Sequence, residues 1–143
     1  MSVARVELVG LEEFRAALRN LPRQLANEAG AIIVAHAEDA QRRVQRGYPE
    51  GPTGNLRAGV TLKVEHSSQY GAFAQVRSRA KHASIFEQGT KVRRTRAGAN
   101  RGAMPRPPAS ARMIPTVVAQ RARMTQALKA MLERNGLLVR ETV

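Results

Sequence analysis

The residues His82 to Pro115, HASIFEQGTKVRRTRAGANRGAMPRPPASARMIP, decide how the rest of the chain is read. The stretch opens on an apolar run, Ala83, Ile85 and Phe86, and continues through Glu87-Gln88-Gly89-Thr90. A loop follows that carries Lys91, Arg93, Arg94, Arg96, Arg101 and Arg106 without a single acid. Pro105, Pro107, Pro108 and Pro115 then close it where a helical pattern begins. Ile85 to Thr90 predicts a strand, with Gly89 turning the chain outward. Residues 91–110 have almost no large apolar side chain to offset the entropy of ordering, so alone this arm is expected to be mobile. A loop of that length inside a small domain is usually functional or disordered.

Working outward on the C-terminal side, Val117, Val118, Met124, Ala127, Leu128, Met131 and Leu132 give the last segment an apolar helical face. Pro115 fits its first turn, and Gly136 after Asn135 ends it. Residues 137–143 read as a short edge strand or a tail. On the N-terminal side, Ala72, Ala74 and Val76 alternate with Phe73, Gln75 and Arg77, and Val60, Leu62 and Val64 alternate with Thr61, Lys63 and Glu65. The short Ser67–Gly71 connection makes these runs an antiparallel hairpin. Gly47 to Asn55, with three Gly and two Pro, is turn chemistry.

Further back, Leu25, Ala29, Ile32, Ile33, His36, Ala40 and Val44 form one stripe, which predicts a helix from about Pro22 to Arg46, roughly 37 Å long. Its many Ala residues suit close approach of another backbone. His36 stands in that stripe without a second ligand at metal-binding spacing, which makes it a core or interface residue. Leu11, Phe14, Leu18 and Leu21 predict a short helix over 11–19, preceded by a strand over 5–10. The expectation is a single α+β domain over residues 1–143. Its small antiparallel sheet of three to four strands is packed by a long N-terminal helix and a C-terminal helix, with the basic loop outside.

The chain has 143 residues, enough for one domain with its own core. It has no cysteine, which excludes disulfides and thiolate metal sites. No apolar run approaches the ~20 residues of a membrane span, and Met1 to Arg5 lacks the layout of a signal peptide. A soluble protein made in the cytoplasm is expected.

The net charge of +13 is unevenly placed. Residues 1–50 balance seven acids with seven Arg, whereas residues 51–143 hold seventeen Lys and Arg against four acids. Such asymmetry fits a polyanionic neighbour, either nucleic acid or an acidic protein surface, or else a solvated basic face.

Enzymatic motifs are missing: there is no HExxH, P-loop or GxSxG, and no catalytic, cofactor or metal site is assigned. His82 with Glu87 and neighbouring Arg could serve a small RNA-cleaving toxin, because such proteins cut RNA with these residue types. The two Tyr and three Phe are too few and too scattered for the stacking platforms of single-strand binders. A nonspecific DNA-binding module that contacts phosphates through the arm is the stronger rival.

Three short segments carry a family resemblance. Pro52-Thr53-Gly54-Asn55-Leu56-Arg57-Ala58-Gly59-Val60 resembles a "P-x-T-G-x-L-R-x-S-I" turn and strand, with Gly59 where Ser is common. Phe86-Glu87-Gln88-Gly89-Thr90 resembles an "E-F/Y-G-T" strand end, and Arg112-Met113-Ile114-Pro115-Thr116 an "F-L-R-P-A" helix entry. Val9-Gly10-Leu11-Glu12-Glu13-Phe14 and the Leu21-Pro22 break fit the same pattern. Together they are similar to the tail-completion or head–tail joining proteins of long-tailed bacteriophages, including the lambdoid minor tail protein Z type. The basic insertion between Thr90 and Pro105 is longer than that pattern.

The resemblance implies a structural protein of the virion neck or tail, made in the bacterial host. Its subunits would form a homo-oligomeric ring around the DNA channel. Neighbouring neck and tail proteins would be its partners, with nonspecific contact to channel DNA and no membrane or small-molecule ligand. Thr53, Gly54, Leu56, Arg57, Phe86, Glu87, Gly89, Thr90, Met113, Ile114 and Pro115 would be its structural motif, and the six cations of the arm its docking contacts.

Overall fold

A computed structural model describes residues 23–67 and 71–137. The expected strand over 5–10, the helix over 11–19 and nearly all of the 137–143 segment lie outside the described residues. The first described element, α1 (Arg23–Gly47), follows the predicted stripe and buries Ala29, Gly30, Ala40 and Val44. A loop and the one-turn α2 (Asn55–Ala58) lead into β1 (Val60–Ser67), which pairs antiparallel with β2 (Gly71–Ser78). The register sets Leu62 against Val76 and Val64 against Ala74, as the alternation requires. Then come α3 (Ala83–Gln88), a 3-10 turn (Ala109–Ala111) and α4 (Met113–Arg134).

Helix α1 is the central element. The hairpin lies against one part of it and α4 against another, and α4 has little direct contact with the hairpin. The arrangement is α+β, with α4 reaching the sheet through α1 rather than by lying on it. Small residues let the hairpin come close: a Cβ built on Gly30 would sit 3.5 Å from the Ala72 Cβ, ordinary van der Waals contact. Gln41 and Gln45 of α1 each donate from Nε2 to the Val60 carbonyl, at 3.1 and 3.3 Å, which fixes where β1 starts.

Two apolar clusters hold the body together. The first joins Ala29 to Leu128, Met131 and Leu132, with Ile32, Ile33 and Met124 around them. It packs the N-terminal half of α1 on the C-terminal half of α4, so the helices run antiparallel. The ion pair of Arg134 Nη2 with Glu28 Oε1 (2.7 Å) lies at that end. The second cluster joins Val44, Tyr48, Val60 and Phe86, with Leu56, Val76, Met104, Met113 and Val117 packed against it. Six separate stretches of the chain meet there.

One expectation is overturned. Residues 85–90 are not a third strand, and among the described residues the sheet has two strands. Ala83 and Phe86 are buried at a spacing of three, which is helical, and Gly89 N–H closes the turn onto the Ile85 carbonyl at 2.9 Å. An apolar run this short satisfies either period, and the close of the turn decides it. The end of α4 matches its prediction. Gly136 takes φ 75°, its N–H bonds the Glu133 carbonyl at 3.0 Å, and Leu137 N–H bonds Leu132 at 3.0 Å, a Schellman cap.

Candidate assembly interface: a clasp and a basic finger

The residues of the three sequence motifs come together around Tyr48. Tyr48 is fully buried, and its ring meets Phe86 edge-on with centroids 5.1 Å apart, a geometry worth about 1 kcal/mol beyond its buried area. Its hydroxyl donates to Glu87 Oε1 at 2.7 Å. The same oxygen accepts from the backbone N–H of Met113 at 2.6 Å. Arg112, at the N-cap of α4, supplies no side-chain cap, so Glu87 from a distant turn satisfies the first orphan donor and sets negative charge at the positive end of the helix. Pro115, in that first turn, has no N–H to satisfy.

On the other side of Tyr48, Arg57 Nε donates to the Tyr48 carbonyl at 2.7 Å, and its guanidinium reaches Glu50 at 3.7 Å. Gly54 takes φ 63° just before α2, which carries Leu56 to the core and Arg57 to Tyr48. Thr53 is exposed in the preceding turn. One chain of hydrogen bonds therefore runs from Arg57 through Tyr48 and Glu87 to Met113. Burial, reinforced by the Glu87 acceptor, pushes the Tyr48 phenol well above its ordinary value.

Gly89 joins this clasp to the arm. It takes φ 71° and ψ 176°, and a Cβ there would come within 2.7 Å of Arg106 N and 2.8 Å of Met104 O. Only glycine fits such a position. Immediately beyond it, Thr90 and Met104 exchange backbone hydrogen bonds at 2.7 and 3.1 Å. Met104 also sinks into the second cluster, which anchors the far leg.

From this base the first part of the arm is a paired finger rather than a featureless loop. Arg93 N–H bonds the Gly102 carbonyl (3.0 Å), Arg101 N–H the Arg93 carbonyl (2.7 Å), and Thr95 N–H the Ala99 carbonyl (2.9 Å). Gly98 turns the tip with φ 85°, and Thr95 Oγ1 accepts from Ala99 N–H at 3.0 Å. Each leg spans roughly 15–20 Å. Lys91, Arg93, Arg94, Arg96 and Arg101 are all exposed on it. Arg106 is exposed as well, on the Pro-rich connector beyond the finger. Ile114, although it belongs to the helix-entry motif, is 66% exposed on the outer face of α4, near Val118 at 56%.

The sequence did not point to a second basic surface. Arg43, Arg46 and Arg123 line an open cleft of about 540 Å³ between α1, the 3-10 turn and α4, together with Ser110, Thr116 and Gln120. Asp39 bonds Arg43 at 2.6 Å and the Gln120 amide, and the hydrogen bond from Arg43 holds its carboxyl below the usual range. Gln120 is buried on α4, where nothing in the sequence sets it apart from the other polar residues of the helix.

His82 is exposed at the start of α3, whereas Oε1 of Glu87 is committed to Tyr48 and Met113. No hydrogen bond joins the two side chains among the described residues. His36 is half-buried in α1, and its Nδ1 lacks a hydrogen-bond partner. No helix among the described residues is long and apolar enough to cross a membrane. No protein-family model matches this chain, and neither the curated proteins nor the solved structures yield a match.

Proposed function

We propose that the chain is a structural ring subunit of a long-tailed bacteriophage neck or upper tail end, which completes the tail or joins it to the head around the DNA channel. The observation that carries this reading is the convergence of the motif segments. Pro52–Val60, Phe86–Thr90 and Arg112–Thr116 resemble phage tail-completion sequences separately, and through Arg57, Glu87 and Met113 they build one clasp. A chance resemblance of three short peptides gives no reason for them to share a hydrogen-bond network.

Other features fit ring assembly. Among the described residues the two-stranded sheet has an unpaired edge on each strand, which a neighbouring subunit can extend. Ile114 and Val118 leave apolar surface on α4 for a flanking copy or ring. The finger gives each subunit a basic arm held at a fixed base. In this role the protein performs no enzymatic step and needs no cofactor. Its partners are copies of itself and the neck and tail proteins above and below.

The test is mass spectrometry of gradient-purified particles from the source strain, with the copy number measured against the major capsid protein. About one ring's worth of copies per particle is the expected result. Absence from particles, with the protein free or on nucleic acid in the lysate, would replace this reading with that of a basic DNA-binding module.

A further inference from the structure

We infer that the Thr90–Met104 finger is a phosphate-binding element for a nucleic-acid duplex, gripping it through Lys91, Arg93, Arg94, Arg96 and Arg101. The inference rests on the proposed place of the subunit around a DNA channel and names what the finger touches there. The alternative occupant is an acidic protein surface, and the charge arrangement of the chain argues against its most accessible form, a second copy.

Almost every described carboxylate already has a partner in its own subunit. Glu28 pairs with Arg134, Glu38 with Arg42, Asp39 with Arg43, Glu50 with Arg57 and Glu65 with Lys63, while Glu87 Oε1 accepts two hydrogen bonds in the clasp. Glu133 is the one described acid with no such contact, too little to neutralise five cations. Glu7, Glu12, Glu13 and Glu141 lie outside the described residues. The first three are matched in number by Arg5, Arg15 and Arg19, so that segment carries no net negative charge.

The finger itself has the opposite character. None of its cations makes an ion pair among the described residues, and every one is exposed. Its register places Arg94 across from Asn100 and so Arg93 across from Arg101, whose N–H bonds the Arg93 carbonyl. Two guanidinium groups directly opposite each other on a ribbon repel. A bound polyanion turns that repulsion into attraction. Phosphates spaced along a duplex present such charge at high density, and neutralising them releases condensed counterions, which drives binding.

The shape fits as well. A two-stranded ribbon, with strands about 4.8 Å apart, is narrow enough for a major groove about 12 Å wide. The groups presented are Arg and Lys with few hydrogen-bonding side chains of other kinds, so the contacts go to the backbone and carry little sequence preference. Gly89 and the Thr90–Met104 bridge tie the base of the finger to the body.

The experiment measures binding of the full chain to a labelled 30-bp duplex of random sequence by fluorescence anisotropy, at several salt concentrations. Two variants accompany it. One is Arg93→Ala/Arg94→Ala/Arg96→Ala; the other, Arg79→Ala/Lys81→Ala/Arg121→Ala, removes the same charge from exposed positions outside the finger. The wild-type chain should bind with a dissociation constant of about 10⁻⁴–10⁻⁶ M at physiological salt, with a log–log salt slope of about −4 to −5. The finger variant should lose about 100-fold in affinity at 0.1 M salt and about 2.7 in slope, and the body variant far less.

Equal losses in both variants, or no binding by the wild type, would overturn the inference. So would finger-dependent binding to poly-glutamate without binding to duplex, which would assign the finger to an acidic protein. Particle mass spectrometry separates the two conclusions. A protein present in particles but indifferent to duplex sinks only this inference, whereas a duplex-binding protein absent from particles sinks the neck reading.

Discussion

The clasp around Tyr48 and the finger beyond Gly89 are adjacent in the chain and opposite in physical character. In the clasp, the buried Tyr48 hydroxyl and the first amide of α4 share one half-buried carboxylate, beside the apolar cluster of Phe86, Val44 and Val60. In the finger, backbone hydrogen bonds tie the legs to each other, while the cationic side chains are exposed and make no ion pair among the described residues. One region uses its polar groups to hold a single structure, and the other leaves them exposed to solvent. Stability and partner binding should therefore separate by mutation, and each of the following measurements tests that separation.

The largest effect should come from the helix–helix cluster, which neither region contains. Met131 is fully buried between α1 and α4. Met131→Ala removes its side chain and leaves a cavity, so it should cost about 2–5 kcal/mol in urea unfolding. Duplex binding at temperatures where the variant is folded should not change. A matching loss of affinity would mean that finger and body are coupled, contrary to the comparison.

Next comes the clasp itself. Glu87→Ala leaves the buried Tyr48 hydroxyl and the Met113 amide without their acceptor, which should cost about 1–3 kcal/mol. A double-mutant cycle with Tyr48→Phe isolates the shared hydrogen bond. The raised phenol also predicts a pH dependence. Stability contributed by neutral Tyr48 is fully present below the unfolded value of 10.0 and is lost as pH rises above it toward the higher folded value. Alkaline unfolding should thus begin above about pH 10 and be flatter in Tyr48→Phe. Identical alkaline profiles would remove Tyr48 from the stabilising network.

The sequence revealed the helices and the hairpin because their apolar residues repeat at one period for long enough to exclude the other. Leu25 to Val44 repeats over more than about five turns, and Val60-Leu62-Val64 faces a matching run across a short connection. Ile85 to Thr90 failed for want of length, since Ala83, Ile85 and Phe86 fit a strand as well as a helical turn. Tyr48 was hidden in a stretch rich in Gly and Pro, where an aromatic residue reads as a loop residue. Its burial depends on Phe86 and Val60, which lie far along the chain. The finger was legible as charge but not as structure. Its ladder is made by backbone groups, and Arg, Gly and Ala leave no alternation of apolar side chains for a period to reveal. The basic cleft needed Arg43 and Arg46 of α1 to meet Arg123 of α4, a pairing that only the helix packing specifies.

The smallest expected effect on stability is the most informative. Arg93→Ala/Arg94→Ala/Arg96→Ala removes side chains that are exposed and make no ion pair among the described residues, so it should change unfolding free energy by less than about 0.5 kcal/mol. If repulsion between Arg93 and Arg101 weakens the free finger, the change should be slightly stabilising and should shrink as salt is added, because salt screens exposed charges. The same variant should fail to complete infectious particles while remaining folded and expressed. Normal infectivity would show that the finger's charge is merely solvated. A large loss of stability would show instead that the finger is part of the folded core, and the contrast with the clasp would be gone.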